Sequence, residues 1–212
     1  MTELEMVLPE IFTGGNASTM QLPDPELYEH WSLYNKRILS IENEIDTWDY
    51  HIIKDILMIN IKDAGIPREE RKPIILLINS NGGLLDTTNS IIDAIRTSVT
   101  PVWTVNMGMA LSGGCLVFIA GERRFTTYNS HCMTHTGSGG TSGTYEQTVE
   151  QQKLYNEQVK NMGDYIMECT GISEKIWKKY KNKDWYLNCN LQMEYGFATD
   201  ILESLDQIID VG

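Results

Sequence analysis

Apolar and polar positions alternate in blocks along the chain, and the blocks predict strands and helices in turn. Residues 74–78 are a continuous apolar run, typical of a strand that is covered on both faces. Residues 37–41 and 102–105 give shorter runs, and apolar side chains recur at helical spacing between runs, as at Ile91 and Ile95. Strand–helix–strand repetition with short joints predicts right-handed crossovers and therefore an α/β fold around a largely parallel sheet.

The same patterning predicts the other elements of this fold. Apolar side chains at helical spacing over residues 48–57 indicate a helix that ends near Gly65. A further helix is predicted over residues 111–120, and two short strands over residues 124–127 and 131–134.

Two segments lie outside this alternation. Residues 1–30 carry a glycine pair and a Pro-Asp-Pro turn signal, and they are predicted to be irregular. A flexible glycine-rich tract at residues 135–143 leads into a long polar segment with a narrow apolar stripe from Tyr145 to Ile166. Such a helix either projects to pack against another subunit or lies solvated on the surface, and the pattern leaves both readings open.

Composition and charge exclude several classes of protein. The chain has 212 residues with a formal net charge of −12, which disfavours a nucleic-acid partner because it repels phosphate backbones. A hydrophobic content of 42% is too high for a disordered protein, and no apolar run reaches the about 18 residues of a membrane span. Glu3 and Glu5 stand where a signal peptide needs positive charge, so a cytoplasmic location is expected.

The four cysteines predict neither a metal site nor a disulfide framework. They are widely spaced along the sequence and include no C-x-x-C pair, so small buried thiols in a reducing compartment are expected. Their positions are Cys115, Cys132, Cys169 and Cys189.

Residues 107–114 are the strongest candidate for chemistry. A predicted strand runs into small residues, then Ser112, then a predicted helix, which is the arrangement of a nucleophile elbow. Small neighbours permit the sharp turn that exposes a hydroxyl, and a helix N-terminus stabilises developing negative charge. Ala110 stands where G-x-S-x-G has its first glycine, so a simple helix cap remains the alternative for Ser112.

A serine needs a base to become nucleophilic, and the chain has four histidines. His135 opens the glycine-rich tract directly after a predicted strand, a position that suits a general base at the edge of a cleft. His131 is predicted to be buried and hydrogen-bonded, while His30 and His51 belong to the N-terminal region. His135 is therefore the predicted base, with a structural role as its alternative.

Residues 79–83, Asn-Ser-Asn-Gly-Gly, are predicted to end the strand before them. Adjacent glycines let the main chain approach a ligand closely. An N–H of this turn and the N–H of Gly113 are candidates for an oxyanion hole, in which one donor is typically worth about 10²–10³ in rate. An ordinary tight turn is the alternative.

Three stretches in register carry a resemblance to a known family. Residues 78–83 read INSNGG, residues 107–114 read MGMALSGG, and residues 129–135 read NSHCMTH. They are similar to the signatures I-N-S-P-G-G, M-G-x-A-A-S-M-G and N-S-R-V-M-I-H of ClpP, the proteolytic subunit of the Clp protease. The order, the spacing and the helix after the glycine-rich tract also fit, and the resemblance covers about residues 36–205.

The resemblance implies a serine peptidase that cleaves through an acyl-enzyme. It implies Ser112 as the nucleophile, His135 as the base, and the backbone amides of Gly83 and Gly113 as the oxyanion hole. It implies no cofactor and no metal.

The acid of the triad follows from the same alignment. The family's R-D-R-F-L-S lines up with residues 183–188, which implies Asp184. Asp200 is the rival, because it lies one position past an aspartate of the family's Y-G-L-V-D.

For the whole molecule the resemblance implies a ClpP/crotonase-like spiral of βαβ units with a projecting handle helix at about residues 136–167. It implies one peptidase domain over residues 31–212, with residues 1–30 as a candidate axial gating region. It also implies a homo-oligomer of two stacked heptameric rings, fed with unfolded proteins or peptides by an ATP-driven AAA-type unfoldase.

Departures from the family pattern bear on the unfoldase. Family members receive unfoldase loops in clefts lined partly by aromatic residues; Ile75 and Leu77 stand at two of those positions, and Phe125 retains a third. Aliphatic walls predict weak pairing with a generic unfoldase, unless these side chains pack inward.

Two further departures lie in the motifs themselves. Asn81 stands in place of the family's proline, and Thr136 stands in place of its glutamine.

Two other functions compete with the peptidase. A non-proteolytic partner subunit of the same fold is disfavoured because all three triad positions hold competent residues. A crotonase-like acyl-thioester enzyme would use the paired amides to bind acyl-CoA and would not need Ser112.

Overall fold

A computed structural model describes residues 25–137 and 140–209 of the chain. Its helices are α1 (Pro25–Asn35), α2 (Tyr50–Lys62), α3 (Leu85–Thr97), α4 (Gly113–Ile119), α5 (Tyr145–Thr170), α6 (Glu174–Tyr180), α7 (Cys189–Glu194) and α8 (Asp206–Ile209), with a 3-10 turn at Arg68–Glu70. Its strands are β1 (Ile38–Ile45), β2 (Ile74–Gly83), β3 (Val102–Leu111), β4 (Arg123–Thr126), β5 (His131–Thr134), β6 (Trp185–Asn188) and β7 (Asp200–Ile201).

The sheet is parallel along β1-β2-β3-β4-β7, which confirms the predicted α/β fold. β3 is its branching point: Trp103–Asn106 pair with β4, whereas Met109–Leu111 pair with β5. β6 then runs antiparallel to β5. The carboxyl ends of β3 and β5 and the first residue of β6 therefore lie at the same edge of the sheet.

Two hydrophobic cores lie on opposite faces of this sheet. Ile74, Leu76 and Ile78 of β2 belong to the larger core, whereas Ile75 belongs to the smaller one, as the period of two in a strand requires. Three helices cover the larger core: Ile52, Ile56 and Ile59 come from α2, Ile91 and Ile95 from α3, and Val117 and Ile119 from α4.

The smaller core corrects one expectation about the unfoldase cleft. Ile75 and Phe125 are 1% and 0% exposed, and they pack with Leu202 and Ile208 of the C-terminal segment. Leu77 is half-buried at the margin of the same cluster. The inward-packing alternative for the aliphatic residues therefore describes Ile75, so weak unfoldase pairing can no longer be argued from Ile75 as a wall of an open cleft.

Strand boundaries extend beyond the apolar runs that predicted them. β2 continues to Gly83 instead of ending at Ile78, because its backbone still pairs with β1 and its small polar residues fit the ladder. Ser80, for example, is buried and donates a hydrogen bond of 2.5 Å to the carbonyl oxygen of Asn43. β3 likewise continues to Leu111, so α4 begins at Gly113, two residues later than predicted.

The predicted helix before Gly65 is present as α2, but the prediction for residues 25–30 was wrong. Residues 25–30 belong to α1 and are not irregular; Pro25 suits a first helical position, where no N–H is needed. The predicted irregular segment is otherwise outside the described residues. Trp48 precedes α2 and is 84% exposed, and Leu57 is 57% exposed, because Ile52, Ile56 and Ile59 form the buried face of α2 and Leu57 lies outside it.

The predicted handle is the long helix α5. Thr144 and Gln147 form a reciprocal capping box at its start, and Gly171 ends it in a left-handed conformation. Only Gly163 and Ile166 of this 26-residue helix are buried, both in its C-terminal half. The N-terminal half therefore extends from the domain, with Leu154 57% exposed.

An ion pair lies at the end of the sheet opposite to Ser112, where the central parallel strands begin. Arg37, just before β1, donates two hydrogen bonds of 2.7 and 2.5 Å to Asp63, just after α2. The hydroxyl of Thr100 also donates to Asp63, which is 1% exposed. The hydrogen bonds from Arg37 lower the pKa of Asp63. The pair thus ties together three chain segments that enter the sheet.

Replacing Asp63 with alanine is expected to lower the free energy of unfolding by about 3 kcal/mol, because a guanidinium loses its buried partner. Urea denaturation at neutral pH measures this loss. The contribution should be present above the ordinary aspartate pKa of about 3.9 and should disappear as the pH falls through the lower pKa of the folded state. Glu122→Ala is the control: it breaks the exposed pair with Arg68 and should cost less than about 1 kcal/mol. Equal losses for both variants would contradict the prediction.

Candidate active site

Ser112 lies at a strained turn between β3 and α4. Its φ of 51° and ψ of −118° are rarely adopted by a residue with a side chain, and such strain costs about 1–3 kcal/mol. The turn is held in place because the Ser112 N–H donates to the carbonyl oxygen of Met133 at 2.8 Å and every residue of α4 is buried. The side chain makes no capping hydrogen bond to the helix. The sharp elbow is therefore present, and the simple helix cap does not describe this serine.

Gly82 makes the elbow possible from the neighbouring strand. Its φ is +90°, and a Cβ atom placed on it would lie 2.7 Å from the Leu111 carbonyl oxygen and 2.8 Å from the Ser112 Cβ. A side chain at this position would displace the backbone on both sides of the serine. Close approach, as inferred from the paired glycines, is thus a requirement at Gly82.

His135 lies next to Ser112 because β5 pairs with the end of β3. Leu111 is level with Met133, and His135 follows directly after β5. Its Nε2 is 2.8 Å from the Ser112 Oγ, within hydrogen-bond distance. This is the geometry that a base needs to take the proton of a serine.

His131 differs from its prediction. It is exposed at the start of β5, whereas the next three residues of that strand are buried. Its backbone carbonyl accepts a hydrogen bond of 3.0 Å from the Asn106 side chain, so the backbone, not the imidazole, has the structural contact.

Asp184 reaches His135 through the last strand pair. Thr134 of β5 is level with Trp185 of β6, so the residues just outside this pair, His135 and Asp184, are neighbours. The Asp184 Oδ1 lies 3.4 Å from the His135 Nδ1, and the Asp184 side chain is 58% exposed. That distance is slightly longer than a normal hydrogen bond, as is common in active sites without substrate.

The rival carboxylate has a different partner. Asp200 of β7 accepts a hydrogen bond of 2.6 Å from Arg123 and another from the Thr199 hydroxyl. The hydrogen bond from Arg123 lowers the pKa of Asp200. Geometry therefore favours Asp184 over Asp200 as the partner of His135.

The two predicted oxyanion amides are adjacent to this group. A Cβ atom on Gly113 would lie 3.5 Å from the Gly83 nitrogen, so the end of β2 and the start of α4 are in contact. The first N–H groups of a helix have no intrahelical partner, and Gly113 is the first residue of α4. Gly83, Ser112 and Gly113 line the same cleft, and the role of the two amides as oxyanion donors stays a prediction.

A cleft of about 410 Å³ opens in front of Ser112 and His135, between α3 and α5. Its lining includes the apolar side chains of Ile92, Leu116, Val159 and Met162. Tyr165 ties α5 to α4, because its hydroxyl donates to the Leu116 carbonyl oxygen at 2.9 Å. Burial raises the pKa of Tyr165, which keeps this donor protonated.

The sequence analysis missed a pair of thiols beneath the site. Cys115 of α4 and Cys132 of β5 are far apart in sequence but have Sγ atoms 2.8 Å apart, and both are fully buried. Burial raises the pKa of the Cys132 thiol, so it is unreactive. Sequence spacing gave no sign of this contact, because it depends on the pairing of β3 with β5.

Two classes of feature are absent from the described ranges 25–137 and 140–209. Within them, no three histidine, cysteine or acidic residues are grouped so as to hold a metal ion. None of the helices in the same ranges is long and apolar enough to cross a membrane.

Comparison with known proteins identifies the family. The model of the Clp protease family matches residues 26–205. The chain belongs to the Clp protease family. Its relatives include the ATP-dependent Clp protease proteolytic subunit 2 of Treponema denticola, 34% identical over 140 residues, which span 65% of this chain and 70% of the relative. Subunit 1 of Chlamydia muridarum is 30% identical over 181 residues, or 83% of this chain and 91% of the relative.

A solved structure agrees with the Clp protease fold. A point mutant of ClpP1 from Listeria monocytogenes matches with a TM-score of 0.69 and 24% identity, covering 85% of this chain and 99% of that one. The predicted ClpP/crotonase-like fold is confirmed at this level. Membership in a protease family makes the chain a peptidase-type hydrolase subunit and disfavours the acyl-thioester enzyme.

The contact at Gly82 predicts a loss of activity without unfolding. In Gly82→Ala the new methyl group should displace Ser112, and a misplacement of about 1 Å can cost about 100-fold in rate. Hydrolysis of a short fluorogenic peptide and the melting temperature measure the two effects. Gly65→Ala is a matched control, because Gly65 has a φ of +89° but no atom within 4 Å of an added Cβ. If Gly82→Ala were no less active than Gly65→Ala, the steric argument would be wrong.

Proposed function

We propose that this Clp-family protein is a serine endopeptidase that cleaves peptide bonds of unfolded proteins through Ser112, His135 and Asp184. The observation that carries the proposal is the 2.8 Å contact between the Ser112 Oγ and the His135 Nε2 at a strained elbow. A serine that only capped α4 would bond to the helix instead.

The reaction follows from these positions. Ser112 attacks the carbonyl carbon of a peptide held in the cleft, and His135 takes the proton from its hydroxyl. The amides of Gly83 and Gly113 stabilise the oxyanion of the tetrahedral intermediate. His135 then donates the proton to the leaving amine, and water hydrolyses the acyl-enzyme in the same way. The Asp184 carboxylate orients His135 and stabilises its protonated form.

The assembly is the second part of the proposal. The protein forms a homo-oligomer of two stacked heptameric rings, and an AAA-type ATP-dependent unfoldase delivers unfolded chains to it. Support comes from α5, whose N-terminal half extends from the domain with exposed apolar side chains. Support for the unfoldase comes from family membership, since the relatives are subunits of ATP-dependent Clp proteases.

Replacing Ser112 or His135 with alanine should lower hydrolysis of a short fluorogenic peptide by about 10⁴–10⁶, and the double variant should be little worse, because the triad acts as a unit. A fluorophosphonate probe followed by intact-mass measurement should find one adduct, located on Ser112. Ser173→Ala is the control, because Ser173 caps α6 through a hydrogen bond from the Ile176 N–H. A wild-type chain without adduct or turnover would favour the non-proteolytic partner subunit.

The exposed stripe of α5 should hold the rings together. Leu154→Glu places a charge in an apolar contact and is expected to split the particle into single rings or smaller species in sedimentation velocity. Gln152→Glu is the control, because Gln152 is already polar and donates a hydrogen bond to Asn156 on the same helix. Unchanged sedimentation of Leu154→Glu would count against α5 as the ring contact.

A further inference from the structure

An aromatic residue lies at each end of the loop that carries Asp184. α6 ends at Tyr180 and β6 begins at Trp185, with residues 181–184 between them. The two rings are stacked, with centroids 4.2 Å apart and planes only 6° from parallel. The loop therefore leaves and re-enters the fold at one aromatic contact.

Trp185 is fixed relative to the catalytic base. It is 5% exposed, and the rings of Tyr195 and Phe197 meet it edge-on at 5.1 and 5.6 Å. It is also the β6 partner of Thr134, the residue before His135. Any group held against Trp185 is thereby held relative to His135.

Asp184 itself has few contacts that would hold it. Its side chain is 58% exposed, and its contact with His135 is 3.4 Å long. Among the described residues, no lysine or arginine nitrogen lies within the 4.0 Å of an ion pair with it. The backbone on either side must set its position. On that backbone the Lys183 N–H donates to the Tyr180 carbonyl oxygen at 3.1 Å, which ties the loop to the end of α6.

We propose that the stack of Tyr180 on Trp185 positions the acid of the triad. The stack fixes both ends of the loop, so the Asp184 carboxylate stays beside the His135 Nδ1. Neither Tyr180 nor Trp185 is among the residues that line the cleft at Ser112 and His135, so we assign them a positioning role. The inference rests on the proposed function, in which Asp184 orients His135.

The ring of Tyr180, not its hydroxyl, should be what matters. Tyr180→Leu keeps apolar bulk but loses the flat face, and it should lower kcat about 10- to 100-fold with KM within about twofold. Tyr180→Phe keeps the stack and should be close to wild type. Tyr128→Leu is the matched control, because Tyr128 is 66% exposed between β4 and β5. Rates are compared per folded molecule, with folding checked by circular dichroism.

A double-mutant cycle separates positioning from general destabilisation. Asp184→Asn alone should lower kcat by about 10⁴, the reference loss for a triad amide, while Asp200→Asn should have little effect. An activated ester substrate keeps the residual rate measurable. Tyr180→Leu should then cost almost nothing in the Asp184→Asn background, because it acts through that carboxylate.

Three results would overturn the inference. These are a wild-type kcat for Tyr180→Leu, a loss for Tyr180→Leu that is equal in both backgrounds, and full activity of Asp184→Asn, which would leave no acid to position. The Ser112→Ala variant distinguishes failure of this positioning inference from failure of the proposed peptidase function. If it is inactive while Tyr180→Leu is normal, the peptidase proposal remains and only the positioning role is lost.

Discussion

The pairing of β3 with two different strands organises this molecule. The first half of β3 pairs with β4 and the second half with β5, and β6 adds antiparallel to β5. Each member of the proposed triad lies at the end of one of these strands, directly after β3 or β5 or directly before β6. Residues from three distant parts of the chain therefore meet because of backbone hydrogen bonds between strands, not because of local sequence.

Strain at the site is borne by a rigid surrounding structure. Ser112 has an unfavourable backbone conformation, but the helix after it is entirely buried and its N–H is bound to β5. The cost of about 1–3 kcal/mol is small beside the burial of seven α4 residues in the core. By contrast, Asp184 is on an exposed loop, and in our proposal its position is fixed by aromatic packing at the two ends of that loop.

Helix α5 connects the site with the proposed assembly. Its C-terminal half supplies Met162 and Tyr165 to the wall of the cleft, while its N-terminal half extends from the domain. Ring contacts on the extended half would thus act on the same rigid helix that borders the substrate. In the proposed assembly, this arrangement would link ring stacking to the shape of the cleft through one continuous helix.

Sequence alone determined the fold class, and it identified the candidate nucleophile and the candidate base. Local sequence signals were sufficient for these predictions. They are the continuous apolar run of β2, the small residues around Ser112 and the position of His135 after a strand. Matching motifs added Asp184, but sequence left Asp200 open as a rival, because carboxylates are common on the surface.

Only the tertiary structure shows the different partners of the two carboxylates, since it pairs Asp200 with Arg123 and places Asp184 beside His135. It also showed that Ile75 packs inward, that His131 is exposed, and that Cys115 meets Cys132. These facts depend on which strands pair and on which face of the sheet a side chain lies. The periodicity of a sequence reports burial along one segment, whereas contacts between distant segments are set by the register of the sheet.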